Sequence, residues 1–451
     1  MIQPPIPERP PFTLRAALLT PLAAGGYRWE PDAGIEVDEE GRISGVSAWR
    51  DDDATGDRTD GGAADRPVAD LRPWAVLPGM VDLHAHLPQL PSAGLGAGLD
   101  LLTWLERYIF PLERDFDRST AERLAPAACR AFAAAGTTTA VMYGAVFEPS
   151  IDAAFEAAEA HGLRAVIGKV MMDRLRYDPS LPENVVLETS LRQSADLIGR
   201  WDGRDGGRLR YAVTPRFAVS CSGDMLRESA ALAAATGTYW QTHLAEDLHE
   251  CTEVYRLFPE ALDYTDVYDR AGGLGPRSIM AHAIHLSDRE IERLAETGTR
   301  IAHCPASNLF LASGTMRLGR YFEAGLVIGL GSDVSAGPGL SLFDAMRAGA
   351  YTQNGLRAML NDPHRTVSPT EWLRLGSLDG ARALGMEDAI GSVEAGKEAD
   401  LIAVDPSLTL PVPGLAADAA EDLASRLIFR AHPAMVRAAW VRGRRLDGPG
   451  G

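Results

Sequence analysis

The sequence predicts an α/β fold: a closed (β/α)8 barrel of parallel strands, with a small β-sandwich built from the two ends of the chain. Three observations point there. From Ala75 onward, short β-branched runs alternate with Ala-, Leu- and Arg-rich stretches of helical texture, the pattern of parallel βα units. Eight such runs can be counted, which is the number that closes a barrel. Strand-like runs recur at both ends, outside the alternating region.

Taken in order, residues 12–77 contain Ala16-Ala17-Leu18-Leu19, Gly34-Ile35-Glu36-Val37 and Arg42-Ile43-Ser44-Gly45-Val46, separated by Gly, Pro and acidic turns that suggest short strands and hairpins. Asp51 to Arg66 is mostly Asp, Gly and Ala and reads as a solvated loop. The eight barrel candidates are Met80 to His86, Thr137 to Gly144, Arg164 to Met171, Leu209 to Pro215, Tyr239 to Leu244, Ser278 to Ala283, Arg300 to Cys304 and Leu326 to Leu330. Helical stretches lie between them at Ala121 to Ala135, Ile151 to His161, Met225 to Ala235 and Arg289 to Thr297. A helical tail follows over Thr370 to Leu384. Gly391 to Asp405 and Pro433 to Leu446 then return to strand patterns that would rejoin the first ones. The expected domains are 1–75 and 391–451 for the sandwich and 76–390 for the barrel.

Composition narrows the function. The 451 residues are 46% hydrophobic and 24% charged, ordinary for a folded enzyme and too apolar for a disordered chain. The net charge of −18 argues against nucleic acid, an anionic membrane surface or a strongly anionic substrate. No apolar run reaches the ~20 residues of a membrane span, and Met1 to Arg15 lacks the apolar core of a signal peptide, so a cytoplasmic location is expected. Cys129, Cys221, Cys251 and Cys304 are far apart and are read as reduced thiols.

The chemistry begins at Val81-Asp82-Leu83-His84-Ala85-His86. Side chains alternate along a strand, so His84 and His86 would point into one cavity as half of a metal site. His243 at the end of candidate strand five and Asp333 after strand eight reach the same rim, completing three imidazoles and a carboxylate suited to zinc or ferrous iron. His282, ending strand six, would be a further ligand or a neighbour of one. A single strand histidine is more often a core residue than a ligand, and Asp333 could cap a helix; the convergence of all of them on strand ends is what favours one metal. Lys169 on strand three is a possible bridging residue for two ions, but strand four ends Thr214-Pro215-Arg216-Phe217 without a lysine, which favours a single ion. His303 is assigned at best a supporting place, His285 is left open, and His161, His249, His364 and His432 are read as incidental.

On these residues the chain resembles the amidohydrolase superfamily and, within it, the guanine deaminase family. The resemblance rests on Pro78-Gly79-Met80-Val81-Asp82-Leu83-His84-Ala85-His86-Leu87-Pro88-Gln89, Trp104 to Pro111, Gly136-Thr137-Thr138-Thr139, Gly168 to Asp173, Thr214-Pro215-Arg216-Phe217, His243 with Glu246, Met280-Ala281-His282, Ala302 to Pro305, Gly329 to Val334 and Gly396 to Leu401. The histidine and aspartate set specifies the superfamily; Pro88-Gln89 and the Thr214-to-Phe217 stretch point to guanine.

The resemblance implies one divalent ion, zinc first and iron as the alternative, on His84, His86, His243 and Asp333. It further implies that Asp333 takes a proton from water, that Glu246 shuttles protons to the ring and the departing ammonia, and that His282 orients the attacking oxygen. Gln89, Arg216 and Phe217 would hold a small purine, Arg216 matching the O6 and N7 edge of guanine. A homodimer is implied too. Leu90 and Pro338, in the loops after strands one and eight, depart from the family pattern at the pocket mouth. They leave open 8-oxoguanine, a pterin such as isoxanthopterin or another heteroaromatic ring as substrate. A catalytically silent barrel used as a scaffold is the reading from another class.

Overall fold

The computed structural model describes residues 5–50, 66–412 and 419–448. The stretch read as a loop, Asp51 to Arg66, lies outside them except for Arg66. Eight parallel strand positions form one sheet, taken here as strands one to eight: Met80–His86, Thr137–Tyr143, Arg164–Gly168 continued by Val170–Met171, Leu209–Pro215, Tyr239–Leu244, Ser278–His282, Arg300–His303 and Ile328–Leu330. They neighbour one another in sequence order. Almost every residue in them is buried, as expected for strands covered on both faces.

Backbone hydrogen bonds from Asp333 N to His84 O (2.7 Å) and from His86 N to Val334 O (2.9 Å) join the segment after strand eight to strand one, closing the ring. Asp82 reinforces this seam, its Oδ1 accepting from the amides of His84 (3.2 Å) and Ser332 (2.9 Å). Gly331 allows the close approach: a Cβ there would lie 2.8 Å from Cys304 Sγ and 2.8 Å from His84 Cβ. Gly331→Ala is therefore expected to destabilise the protein by about 1–3 kcal/mol, the usual cost of overpacking. Thermal unfolding and metal content of the purified variant would both fall; an unchanged melting temperature would show that the seam has slack.

The outer helices carry clear end signals. Asp288–Thr297 starts with a capping box between Ser287 and Glu290 and stops at Gly298 in the left-handed region (φ 69°). Gly223–Thr236 is capped by Ser222, whose side chain accepts from Met225 N. The sequence had caught the middle of these helices, but Glu183–Trp201 and Leu342–Leu360 were not singled out from it.

Strands from the two ends of the chain form a second, seven-stranded sheet. Its order is Arg444–Arg445, Val436–Val441, Leu401–Val404, Val68–Pro78, Phe12–Pro21, Tyr27–Val37, Ile43–Ala48. This sheet folds over its own core. Phe12 and Trp440 belong to strands with two others between them, roughly 14 Å apart in a flat sheet, yet their ring centroids are 6.3 Å apart. Backbone bonds Ile43 N to Lys397 O (2.8 Å) and Gly396 N to Ile43 O (2.8 Å) tie one edge back to the segment leading into Leu401–Val404. The two layers of the expected sandwich are thus the halves of one curled sheet.

By contacts the chain separates into two compact units: 1–81 with 130–138 and 368–451, and 82–129 with 139–367. Every side chain of the site described next belongs to the second unit. Among the described residues, no helix is long and apolar enough to cross a membrane, and the four cysteines are all buried.

Candidate active site

At the carboxyl end of the barrel strands, His84, His86, His243 and Asp333 converge. His86 Nε2 is 3.2 Å from both His84 Nε2 and His243 Nε2. Asp333 Oδ1 is 3.1 Å from His84 Nε2 and 3.4 Å from His86 Nε2. Ligand atoms held about 2.0–2.1 Å from a tetrahedral ion lie roughly 3.3 Å from one another, so this spacing fits one small divalent ion. His243 donates its Nδ1–H to Arg216 O at 2.6 Å, which leaves the Nε2 lone pair facing the cluster. Tyr143 packs beneath, its ring centroid 4.9, 4.6 and 4.8 Å from those of His84, His86 and His243.

Electrostatics suit a cation. Burial pushes the imidazoles of His84, His86 and His243 below their usual range, so they are neutral with a lone pair to give. Burial alone would raise the Asp333 carboxyl, but its contacts with His84 and His282 outweigh this and hold it below the usual carboxylate range. Glu246 behaves in the opposite way. Burial first, then the negative charges of Asp333, Glu250 and Asp247, hold its carboxyl well above the usual range. Two carboxylates in one site with affinities pushed apart are the arrangement of an acid and a base. His282 links them: its Nε2 is 3.3 Å from Glu246 Oε2 and 3.8 Å from Asp333 Oδ2, and its Nδ1–H donates to Asn308 Oδ1 at 2.9 Å.

The backbone is bent to make this possible. Ala245 (φ 47°), His282 (φ 68°), Ala283 (φ 51°) and Asp333 (φ 49°) all sit in the left-handed region just past the ends of strands five, six and eight. Non-glycine residues there are strained by about 1–2 kcal/mol each, and their clustering at one rim marks a functional site.

Opposite the cluster stands a polar wall. Gln89 and Arg216 are both buried and line the same cavity as His86, His243 and Glu246. Arg216 is paired with Glu113; burial opposes its charge, and the Glu113 carboxylate more than offsets this. Phe217 lines the cavity with its ring centroid 6.3 Å from that of His243. Leu101, Trp104 and Leu105, spaced to share one helical face, provide an apolar side. Polar groups at one edge and an apolar side are the lining that suits a flat heteroaromatic ring with polar edges.

The profile of the amidohydrolase family matches residues 75–446. The chain belongs to the amidohydrolase family. Guanine deaminase of Escherichia coli (strain K12) is 37% identical over 362 residues, covering 80% of this chain and 79% of that protein. The structure of guanine deaminase from C. acetobutylicum, solved with guanine bound in the active site, has a TM-score of 0.87 at 28% identity, over 96% of this chain and 99% of that one. An adenosine deaminase from Xanthomonas campestris, solved with bound zinc, has a TM-score of 0.79 at 26% identity, over 98% and 93%.

In this amidohydrolase, the histidine, aspartate, Gln89, Arg216, Phe217, Glu246 and His282 positions singled out from sequence come together around one cavity. Lys169 does not join them. It interrupts strand three and lines a separate cavity with Val146, Tyr177 and Asp178. His285 holds a loop through Ser313 O (2.7 Å), while His303 is buried with both ring nitrogens unpartnered. Leu90 does not line the cavity, whereas Ala336, in the loop after strand eight, does. Sequence reasoning missed three residues. Tyr143 looks like ordinary strand filling, Trp104 like one of many apolar residues, and Glu113 like a surface carboxylate in Phe110-Pro111-Leu112-Glu113-Arg114.

Proposed function

We propose that this amidohydrolase is a guanine deaminase, converting guanine and water to xanthine and ammonia. The observation that carries the reading is that buried Arg216 and Gln89 line the same cavity as His86, His243, Glu246 and Asp333. It agrees with the likeness to guanine deaminases.

A divalent ion on His84, His86, His243 and Asp333 would supply a bound water whose pKa falls from about 15.7 toward ~7. Asp333, ionised and beside that position, receives the proton released as the water oxygen adds to C2. His282, fixed by Asn308, orients the oxygen and stabilises charge as the carbon becomes tetrahedral. Glu246, whose carboxyl burial and nearby carboxylates raise above the usual range, gives a proton to the ring nitrogen, relays the proton taken by Asp333 to the departing amine, which leaves as ammonia, and regains its own from the C2 hydroxyl as the carbonyl forms. Arg216 and Gln89 read the far edge of the base, and Phe217 packs beside it. Adenine, which has a donor where guanine has O6, leaves buried groups unpaired and is rejected by roughly 10⁴-fold.

The reading extends to zinc as the metal, supported by the nitrogen-rich donor set and the zinc of the Xanthomonas campestris protein. It extends also to a role in purine catabolism, a cytoplasmic location, a homodimer, and the domain division 1–75, 76–390 and 391–451, all carried forward from sequence. The deciding assay offers metal-loaded protein guanine, 8-oxoguanine, adenine, cytosine and isoxanthopterin, with ammonia and ultraviolet change as readouts. Guanine is expected to be the preferred substrate. Arg216→Ala should lower kcat/KM for guanine by about 10²-fold or more, since a buried charged hydrogen bond is lost; unaffected guanine turnover would remove Arg216 as the anchor.

A further inference from the structure

We infer that Glu113 is the positioning residue that sets the hydrogen-bond polarity of the substrate wall, and through it the preference for rings that offer a carbonyl acceptor beside a ring N–H. The inference rests on the guanine reading above and adds the group that makes the wall selective. Glu113 is fully buried, on the short helix Phe110–Arg114. Its carboxylate gathers two partners. Oε1 accepts from Gln89 Nε2 at 2.8 Å, and Oε2 accepts from Arg216 Nη1.

The consequence follows from what each group can do. An ionised carboxylate only accepts, so the Gln89 amide must present its NH₂ to Glu113 and turn its carbonyl oxygen away. Without that partner either amide orientation is open. Arg216, with Nη1 committed and the Phe110 ring 5.5 Å from its Cζ, is likewise held in one place, with its remaining N–H groups free for a ligand. The wall therefore displays an arginine donor beside a glutamine acceptor, rather than two interchangeable donors. A base with an exocyclic oxygen and a neighbouring ring N–H matches it. 2-Aminopurine, which carries the same C2 amine without O6, does not.

The test compares guanine with 2-aminopurine in the metal-loaded parent, Glu113→Gln and Glu113→Asp. In Glu113→Gln, kcat/KM for guanine should fall about 10–100-fold, mainly through KM, the range expected for misplaced charged hydrogen bonds. 2-Aminopurine should fall no more than about threefold, with metal content kept, because it keeps only N7 of the edge the wall reads. Glu113→Asp retains an ionised acceptor at shorter reach, so its guanine preference should lie between those of the parent and Glu113→Gln. If Glu113→Gln does not fold, Glu113→Asp carries the comparison alone, and a preference equal to the parent's overturns the inference. Equal losses on both substrates also overturn it, because they mean that Glu113 only supports the fold. A metal-loaded parent inert toward guanine would instead sink the functional reading itself, a result distinguishable from either.

Discussion

Glu246→Gln is expected to lower kcat for guanine by about 10²–10⁴-fold, the range contributed by a positioned acid–base group, while metal content stays at the parent level. Glu246 lies three residues beyond His243, after the left-handed turn at Ala245. Ser313 Oγ approaches its Oε1 at 3.4 Å and His282 Nε2 its Oε2 at 3.3 Å. Glutamine keeps the shape and much of the hydrogen bonding but cannot carry a proton between water and the leaving amine. An unchanged kcat would take Glu246 out of proton transfer. The same variant has a stability signature. A carboxyl whose folded pKa is raised above 4.5 contributes stability that is fully present below that pH and lost as pH rises through the folded value. Removing it should leave metal-free Glu246→Gln progressively more stable than the metal-free parent as pH climbs past about 4.5, as thermal unfolding in chelator would show.

Removal of the metal should abolish turnover, and zinc should restore it. No side chain in the site can substitute for an ion that brings water close to neutrality from about 15.7. Asp333 and the three imidazoles are all buried, and the pairs His84–His86, His86–His243, His84–Asp333 and His86–Asp333 stand 3.1–3.4 Å apart, as neighbours around one ion would. Metal bound to the folded state alone also stabilises it, by about 4 kcal/mol at a thousand times Kd, so the melting temperature should drop with the metal and return with it. His243→Ala should reproduce the loss without rescue, because its ring is fixed for ligation by Arg216 O. Full turnover in protein stripped of metal would refute the mechanism.

The barrel was largely legible because its strands are short buried runs between polar punctuation. Met80–His86, Leu209–Pro215 and Tyr239–Leu244 have the bounds read from sequence. Strand eight begins later, at Ile328, and strand three breaks at Lys169. Val68–Pro78 was not recognised as a strand in its own right, since Pro73 and alternating charges blur it. The pairing of His84 with His86 was legible because strand geometry dictates where alternate residues point. Glu113 was not. Its meaning depends on Arg216, 103 residues away, and on a helix turned so that one of its carboxylates faces inward. Tyr143 escaped for a similar reason: a buried aromatic beneath three imidazoles is indistinguishable in sequence from one beneath three leucines.

The seam between strands one and eight has a consequence for how the protein assembles. Strand eight is only Ile328–Leu330, and two backbone bonds beyond it complete the ring. His84 and His86 lie on one side of that junction and Asp333 on the other. This cluster therefore cannot exist in a chain whose last barrel strand has yet to arrive, and the pairing that creates it is the most distant in sequence between neighbouring barrel strands, hence slow to form. An ion captured there works as a clasp on a finished ring, so loading with metal reports completed folding, and the shortest strand of the barrel is latched by its own cofactor.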